Sequence, residues 1–314
     1  MENRKLYLFA SVLFLIFLFA SSSMFCGCKQ LQPWQETISK ASGGDEIPLE
    51  ELTIAKTSNS QKDTDSTIEN NIDSNKLPQK YAIIASGASN DSQHYKWFLN
   101  STGMAYDLLR KNGYSDKNIF YLFESNKEQL VDFEASISNF KKVTRNLQKI
   151  TNKTDTILLF LIGHGTCLGV NSYYTLNDYN LSDAEMAEMF KPIKIAGLVF
   201  VFSSCNSGGF IDDLSSENTV VITSTQKDEV NRAAFIEPLL TSFNGTGDSN
   251  SDGKVSFAEA FNYASENVKD QYIDNNWGQL TEHALIDGNG DKIGHEAPFS
   301  NMAEGDLAEN IYLK

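Results

Sequence analysis

Positive charge is in short supply. Against 41 Asp and Glu the chain carries 26 Lys and Arg, a net charge of −15, which disfavours nonspecific attachment to nucleic acid or to an anionic membrane face. No nucleic-acid partner is expected, and an acidic surface suits an exported, calcium-rich setting. Cysteine is scarce as well, with four in 314 residues, so no disulfide scaffold is indicated. The apolar stretch at residues 6–20 gives fifteen residues, short of the roughly twenty that a bilayer-crossing helix needs. What is present in ordinary measure is apolar content, 41% hydrophobic and 11% aromatic, which excludes a chain disordered throughout.

The N-terminus has the layout of a signal peptide: Arg4 and Lys5, then the apolar stretch, then Ser21, Ser22 and Ser23. Phe25-Cys26-Gly27-Cys28 resembles a bacterial lipoprotein signal, with Gly27 as the small residue before a lipid-accepting Cys28 and Phe25 where leucine is more usual. Residues 1–28 are therefore expected to export the chain and anchor it to the cell-surface membrane through lipid on Cys28. Plain secretion, with cleavage after the serines, and an uncleaved anchor are the alternatives. Residues 29–79 read as a disordered polar tether, because residues 40–79 are rich in Ser, Asp, Asn, Glu, Lys and Thr and hold only isolated apolar residues such as Ile54 and Ile68. Cys167 and Cys205 remain for the folded part, and one bridge between them is chemically open in an oxidising compartment.

From Tyr81 the pattern changes. Short apolar runs at residues 81–85, 119–123, 156–162, 197–202 and 219–223 read as buried strands. Segments of helical spacing lie between them at residues 97–111, 137–150 and 183–190, and Asn112-Gly113 stops the first. Alternating strands and helices predict an α/β class, a three-layer sandwich with a mainly parallel central sheet flanked by helices. Residues 80–245 are expected to form this domain, with 246–314 as a calcium-loop and helical extension packed on it. In such sheets chemistry gathers beyond the carboxyl ends of the strands.

Two of those ends carry reactive groups. One strand runs into Gly163-His164-Gly165, and another into Ser203-Ser204-Cys205-Asn206 followed by Ser207, Gly208 and Gly209. An imidazole beside a thiol can take its proton and leave a thiolate that attacks an acyl carbon. Flanking glycines let the backbone approach a substrate, and N–H groups near Gly165 and Cys205 suit an oxyanion. Taken singly, a cysteine at a strand end is usually a small packed hydrophobe, and a histidine before glycine is often a loop hydrogen-bonder. Cys167, three residues past His164, is the rival thiol and is expected in the following loop. His94, His283 and His295 show no partner from spacing.

Leu161-Ile162-Gly163-His164-Gly165 and the stretch from Phe202 to Gly209 resemble the His-Gly and Cys-bearing strand ends of legumain-like cysteine peptidases in the caspase-like clan. The likeness covers roughly residues 81–266 and includes Val220–Thr225. The resemblance implies a caspase-like fold, a His164–Cys205 dyad, and oxyanion donors at Gly165 and Cys205. Such enzymes place an acidic residue two positions before the cysteine, where this chain has Ser203. They also use a basic residue after the first strand for substrate recognition, a place near which only Lys96 and His94 lie. Asp228 and Glu229 are open to two readings, an acidic pocket or a helix cap.

Asp248, Asn250, Asp252, Gly253, Lys254, Ser256 and Glu259 match the EF-hand loop at its diagnostic positions. Calcium is the cofactor this predicts: side-chain oxygens of Asp248, Asn250 and Asp252, the Lys254 carbonyl, Ser256 through water, and Glu259 closing bidentately. Asp287–Lys292 repeats the opening spacing without glycine at position six, and reads either as a weaker second site or as a turn. The function expected is an exported cysteine endopeptidase, or a transpeptidase of the same chemistry, acting on peptide or protein substrates and stabilised by calcium. The alternative is a non-catalytic calcium-binding surface module of the same fold.

Overall fold

A computed structural model describes residues 77–298 and 306–313. The expected signal peptide, Cys26, Cys28 and nearly all of the expected tether lie outside the described residues. In chain order the elements are β1 (Lys80–Ala85), α1 (Ser92–Lys111), β2 (Ile119–Phe123), β3 (Phe133–Glu134), α2 (Ile137–Ile150), β4 (Thr156–Ile162), β5 (Gly165–Leu168), β6 (Asn171–Thr175) and β7 (Asn180–Ser182). There follow α3 (Asp183–Phe190), β8 (Gly197–Ser203), α4 (Ile211–Leu214), β9 (Thr219–Thr223), α5 (Ile236–Thr241), α6 (Phe257–Asp274), β10 (Leu285–Asp287) and α7 (Asp306–Asn310).

The main sheet has seven strands in the order β10-β9-β8-β4-β1-β2-β3. All neighbours are parallel except β10, which runs antiparallel along β9. The five long strands are apolar on both faces because both are covered. Alternate residues enter opposite layers: Ala82 and Ile84 join Phe98, Leu239 and Phe261 of α1, α5 and α6, whereas Tyr81, Ile83 and Ala85 join Phe140, Met186 and Leu214 of α2, α3 and α4. The fold is thus mixed α/β with a mostly parallel sheet between two helical layers, the caspase-like arrangement.

Local chemistry sets the helix ends. Asp91 caps α1 by accepting from the Gln93 and His94 N–H groups, and Gly113 takes the left-handed conformation just beyond it (φ 86°). Capping boxes start α3 (Ser182 with Glu185) and α6 (Ser256 with Glu259). Strands β5, β6 and β7 form a separate antiparallel sheet directly after His164, so Cys167 is not in a loop as the sequence suggests; it is buried on β5. No helix among the described residues is long and apolar enough to cross a membrane.

The order in which successive strands are added reverses beside β1: β2 and β3 lie on one side, β4, β8 and β9 on the other. The resulting crevice between the ends of β1 and β4 is where open α/β sheets place their ligands.

Candidate active site

His164 follows β4 and Cys205 follows β8. These strands are adjacent and in register to their last residues, with Ile162 opposite Ser203, and the Gly163 N–H extends the ladder onto the Ser203 carbonyl (3.1 Å). Parallel neighbours lie about 5 Å apart, so imidazole and thiol emerge side by side at one edge. Gly165 sits against the next turn, and a Cβ there would collide with the Cys205 carbonyl oxygen and meet Ser204 Oγ at 3.0 Å. Glycine at 165 is therefore a steric requirement of bringing the two strand ends together.

The imidazole is half-buried, and its Nε2 lies 3.1 Å from the Ser89 carbonyl in the loop after β1. A carbonyl only accepts, so Nε2 carries the proton and Nδ1 is left as the basic nitrogen. Phe98 packs edge-on against the ring at 5.2 Å between centroids, and His94 lies 5.0 Å away. Burial holds the imidazole below its ordinary pKa of 6.5; the Ser89 hydrogen bond opposes this, the His94 ring adds to it, and Asp91 and Glu124 oppose it. His164 therefore stays neutral, and basic, below that ordinary value.

Cys205 is half-buried and carries a thiol rather than a disulfide, so the Cys167–Cys205 bridge left open by the sequence is not formed. Its sulfur accepts the Asn231 N–H at 3.2 Å and lies 4.0 Å from the Asn231 carbonyl. Asn206, immediately after it, takes a left-handed backbone (φ 58°) and turns the chain sharply: its N–H meets the Glu229 carbonyl at 2.9 Å and its amide donates to the Lys227 carbonyl at 2.8 Å. Phe210 then stacks on Phe202 with centroids 4.3 Å apart. The turn is held from both ends.

Residues 226–235 form the wall beside the sulfur. The Glu229 carboxylate accepts from the Gln226 N–H (3.0 Å) and the His283 N–H (2.9 Å) and pairs with His283 Nδ1. Glu229 is thus engaged in holding the wall to the segment before β10 and offers no acidic pocket. Glu282 holds the same wall at the Ala234 N–H (3.2 Å). Asn231 reaches Ser203 Oγ at 3.2 Å, so the position where legumain-like enzymes carry an acid is here a buried hydroxyl.

Sequence spacing left three histidines without partners. Two of those partners stand out in the fold: Asp91 for His94 at 2.5 Å and Glu229 for His283, while His295 pairs its main chain with Ile286. Ser89, Asn231 and Glu124 were not singled out, because each reaches the site from a loop whose destination only the strand order reveals.

Residues 132–283 match the Peptidase C13 family. The match includes His164 and Cys205 and stops short of β1 and its following loop; it supports a cysteine peptidase of legumain type. No curated protein matches the chain. A crystal structure of protein GSU0716 from Geobacter sulfurreducens is 14% identical, covers 67% of this chain and 92% of that chain, and superposes with a TM-score of 0.47, too distant to bear on the site.

The loop at residues 248–259 folds by local turns. Asp248 Oδ2 accepts the Gly253 N–H (2.9 Å), Asn250 Oδ1 that of Asp252 (2.8 Å) and Asp252 Oδ1 that of Lys254 (2.8 Å), while Gly253 supplies the left-handed residue (φ 84°). Glu259 differs from the expectation. Its Oε2 closes the capping box on Ser256, and its Oε1 accepts the Ser249 and Asn250 N–H groups, which draws its carboxylate pKa down against the opposing pull of burial. Among the described residues no three His, Cys, Asp or Glu side chains converge as a metal cluster. At residues 287–292 the turn reading accounts for the bonds: Asp287 is fully buried, accepting from the Asn289, Gly290 and Lys292 N–H groups and from Ser215.

Proposed function

We propose that the chain is an exported cysteine endopeptidase in which Cys205 attacks the carbonyl carbon of a peptide bond and His164 manages the proton. The observation that carries this reading is the placement of imidazole and thiol on the registered ends of β4 and β8, with His164 Nε2 on the Ser89 carbonyl. In that tautomer Nδ1 accepts the thiol proton, the sulfur forms the C–S bond of a tetrahedral intermediate, and the imidazolium returns the proton to the leaving amine. Water then enters and releases the acyl group. The N–H groups of Gly165 and Cys205 are the oxyanion donors in this scheme.

Calcium is the cation we assign to residues 248–259. The donor set is hard oxygen throughout, and the Asx turns at Asp248, Asn250 and Asp252 support this reading. Asp248, Asn250, Asp252 and Glu259, with the Lys254 carbonyl and Ser256, would hold the ion, which supplies charge to fix the start of α6. Anchoring through Cys28 belongs to the same reading and rests on the sequence.

The test is labelling of the purified chain with a thiol-directed, substrate-like acylating probe. Labelling lost in both Cys205→Ala and His164→Ala supports the dyad. Labelling retained in Cys205→Ala removes the proposed nucleophile.

A further inference from the structure

Four neighbouring strand ends, in the spatial order β8, β4, β1, β2, each contribute one polar group along the same edge: the Cys205 thiol, the His164 imidazole, the Ser89 carbonyl and the Glu124 carboxylate. The last of these has no role in the scheme above. Glu124 directly follows β2, whose Leu122 lies opposite Ala85 at the end of β1. Its Oε2 accepts the Ser89 N–H at 3.0 Å, and Ser89, 3% exposed, presents its carbonyl to His164 Nε2 at 3.1 Å.

The loop between β1 and α1 needs such a hold. It is tied to β2 at Ser86, whose N–H meets the Leu122 carbonyl at 3.0 Å, and Asn90 is left-handed (φ 66°) just before the Asp91 cap. A non-glycine residue in that conformation persists where its surroundings fix it. Glu124 is itself anchored, its carbonyl accepting from the Asn177 side chain at 2.9 Å. The carboxylate thus grips the peptide on one side of Ser89 while the imidazole uses the carbonyl on the other.

We infer that Glu124 is a positioning residue for the reaction, fixing the Ser89 carbonyl that orients His164 and selects its tautomer. The inference rests on the Cys205–His164 reading. Glu124 touches neither the thiol nor the imidazole; it acts through one residue of main chain, and it adds negative charge near the ring together with Asp91, opposite the His94 ring. Loss of a charge-assisted hydrogen bond of this kind is worth about 1.5 to 3 kcal/mol, which corresponds to about a tenfold to hundredfold fall in rate.

The experiment compares wild type, Glu124→Ala, Glu124→Gln and Cys205→Ala, each as the full chain, by the rate at which Cys205 reacts with two reagents. A substrate-like acylating probe requires an oriented His164, whereas iodoacetamide at pH 9 meets a thiol ionised by the medium. Glu124→Ala is expected to slow the first reaction at least tenfold and the second less than threefold. Glu124→Gln keeps an acceptor for the Ser89 N–H and is expected to restore the first to within threefold. Should the alanine variant fail to fold, Glu124→Leu, which fills the space without an acceptor, takes its place. An alanine or leucine variant that reacts with the acylating probe like wild type, or a glutamine variant slowed as much as the alanine variant, overturns the inference. Equal labelling of wild type and Cys205→Ala would instead sink the dyad itself.

Discussion

The sheet edge around Cys205 and the loop at residues 248–259 are built on opposite plans. In the loop, the turns that fold the backbone join residues two to five positions apart, and Glu259 closes it from nine and ten positions away. At the sheet edge, the groups that hold the imidazole and the thiol come from residues 89, 124 and 231, brought together by strand order. Local turns fix a set of oxygen donors; tertiary neighbours fix a tautomer and a pKa. Damage to the edge should therefore appear first in reactivity, and damage to the loop first in stability.

The largest effect expected is at Gly165. Gly165→Ala places a methyl against the Cys205 carbonyl, which forces the two strand ends apart and displaces the proposed donors, and the probe-labelling rate should fall about a hundredfold, the scale of losing one oxyanion contact. A variant labelling at the wild-type rate would show that the two strand ends are not closely apposed.

Glu282 provides the next test. Burial raises its carboxyl pKa from the ordinary 4.5 to about 7, so the folded chain holds this proton more tightly than the unfolded chain. The associated stability is fully present below pH 4.5 and is lost as pH rises to 7. A shift of that size corresponds to about 3 kcal/mol. Glu282→Gln should therefore raise the melting temperature relative to wild type at pH 8 and leave it nearly unchanged at pH 4; a gain that is equal at both pH values would show that the carboxyl does not titrate in this way.

For the loop, Glu259→Ala removes a capping box and a buried acceptor and should cost about 2 kcal/mol. Chelation should lower the melting temperature of wild type and leave that of Glu259→Ala unmoved. Stability indifferent to chelation in both proteins would dismiss the calcium assignment and keep the turn.

The smallest effect concerns pH. Because burial depresses the His164 pKa, the acid limb of the labelling rate should fall below 6.5. An acid limb above that value would mean that the imidazole is more hydrated than its packing against Phe98 implies.

Much of this was legible in the amino-acid sequence, for identifiable reasons. Apolar runs bounded by Gly, Ser and Asn located the five long strands, and the periodicity at residues 137–150 and 183–190 gave α2 and α3 with their observed ends. Strands β5 to β7 were missed because three to five residues with polar alternation, as in Asn171–Thr175, look like loop. Strand β10 was missed because its three residues make sense only beside β9. At the site, His164 and Cys205 were visible as residue types at strand ends. Ser89 and Glu124 were not, because one contributes a carbonyl that every residue has, and the other is one carboxylate among 41 acidic residues. Glu229 reads in the sequence as part of an acidic pocket or as a helix cap, whereas in the fold it pairs with His283, 54 positions away.

In the proposed mechanism the sheet edge makes a reactive Cys205 out of an ordinary thiol through His164. The most direct test is the rate of acylation of Cys205 by a substrate-like probe at pH 6.5 in wild type and His164→Ala, with the labelled residue identified by mass spectrometry. Modification confined to Cys205 and a fall of at least a hundredfold in the variant are expected. Equal rates in the two proteins, or label found elsewhere than on Cys205, would rule the mechanism out.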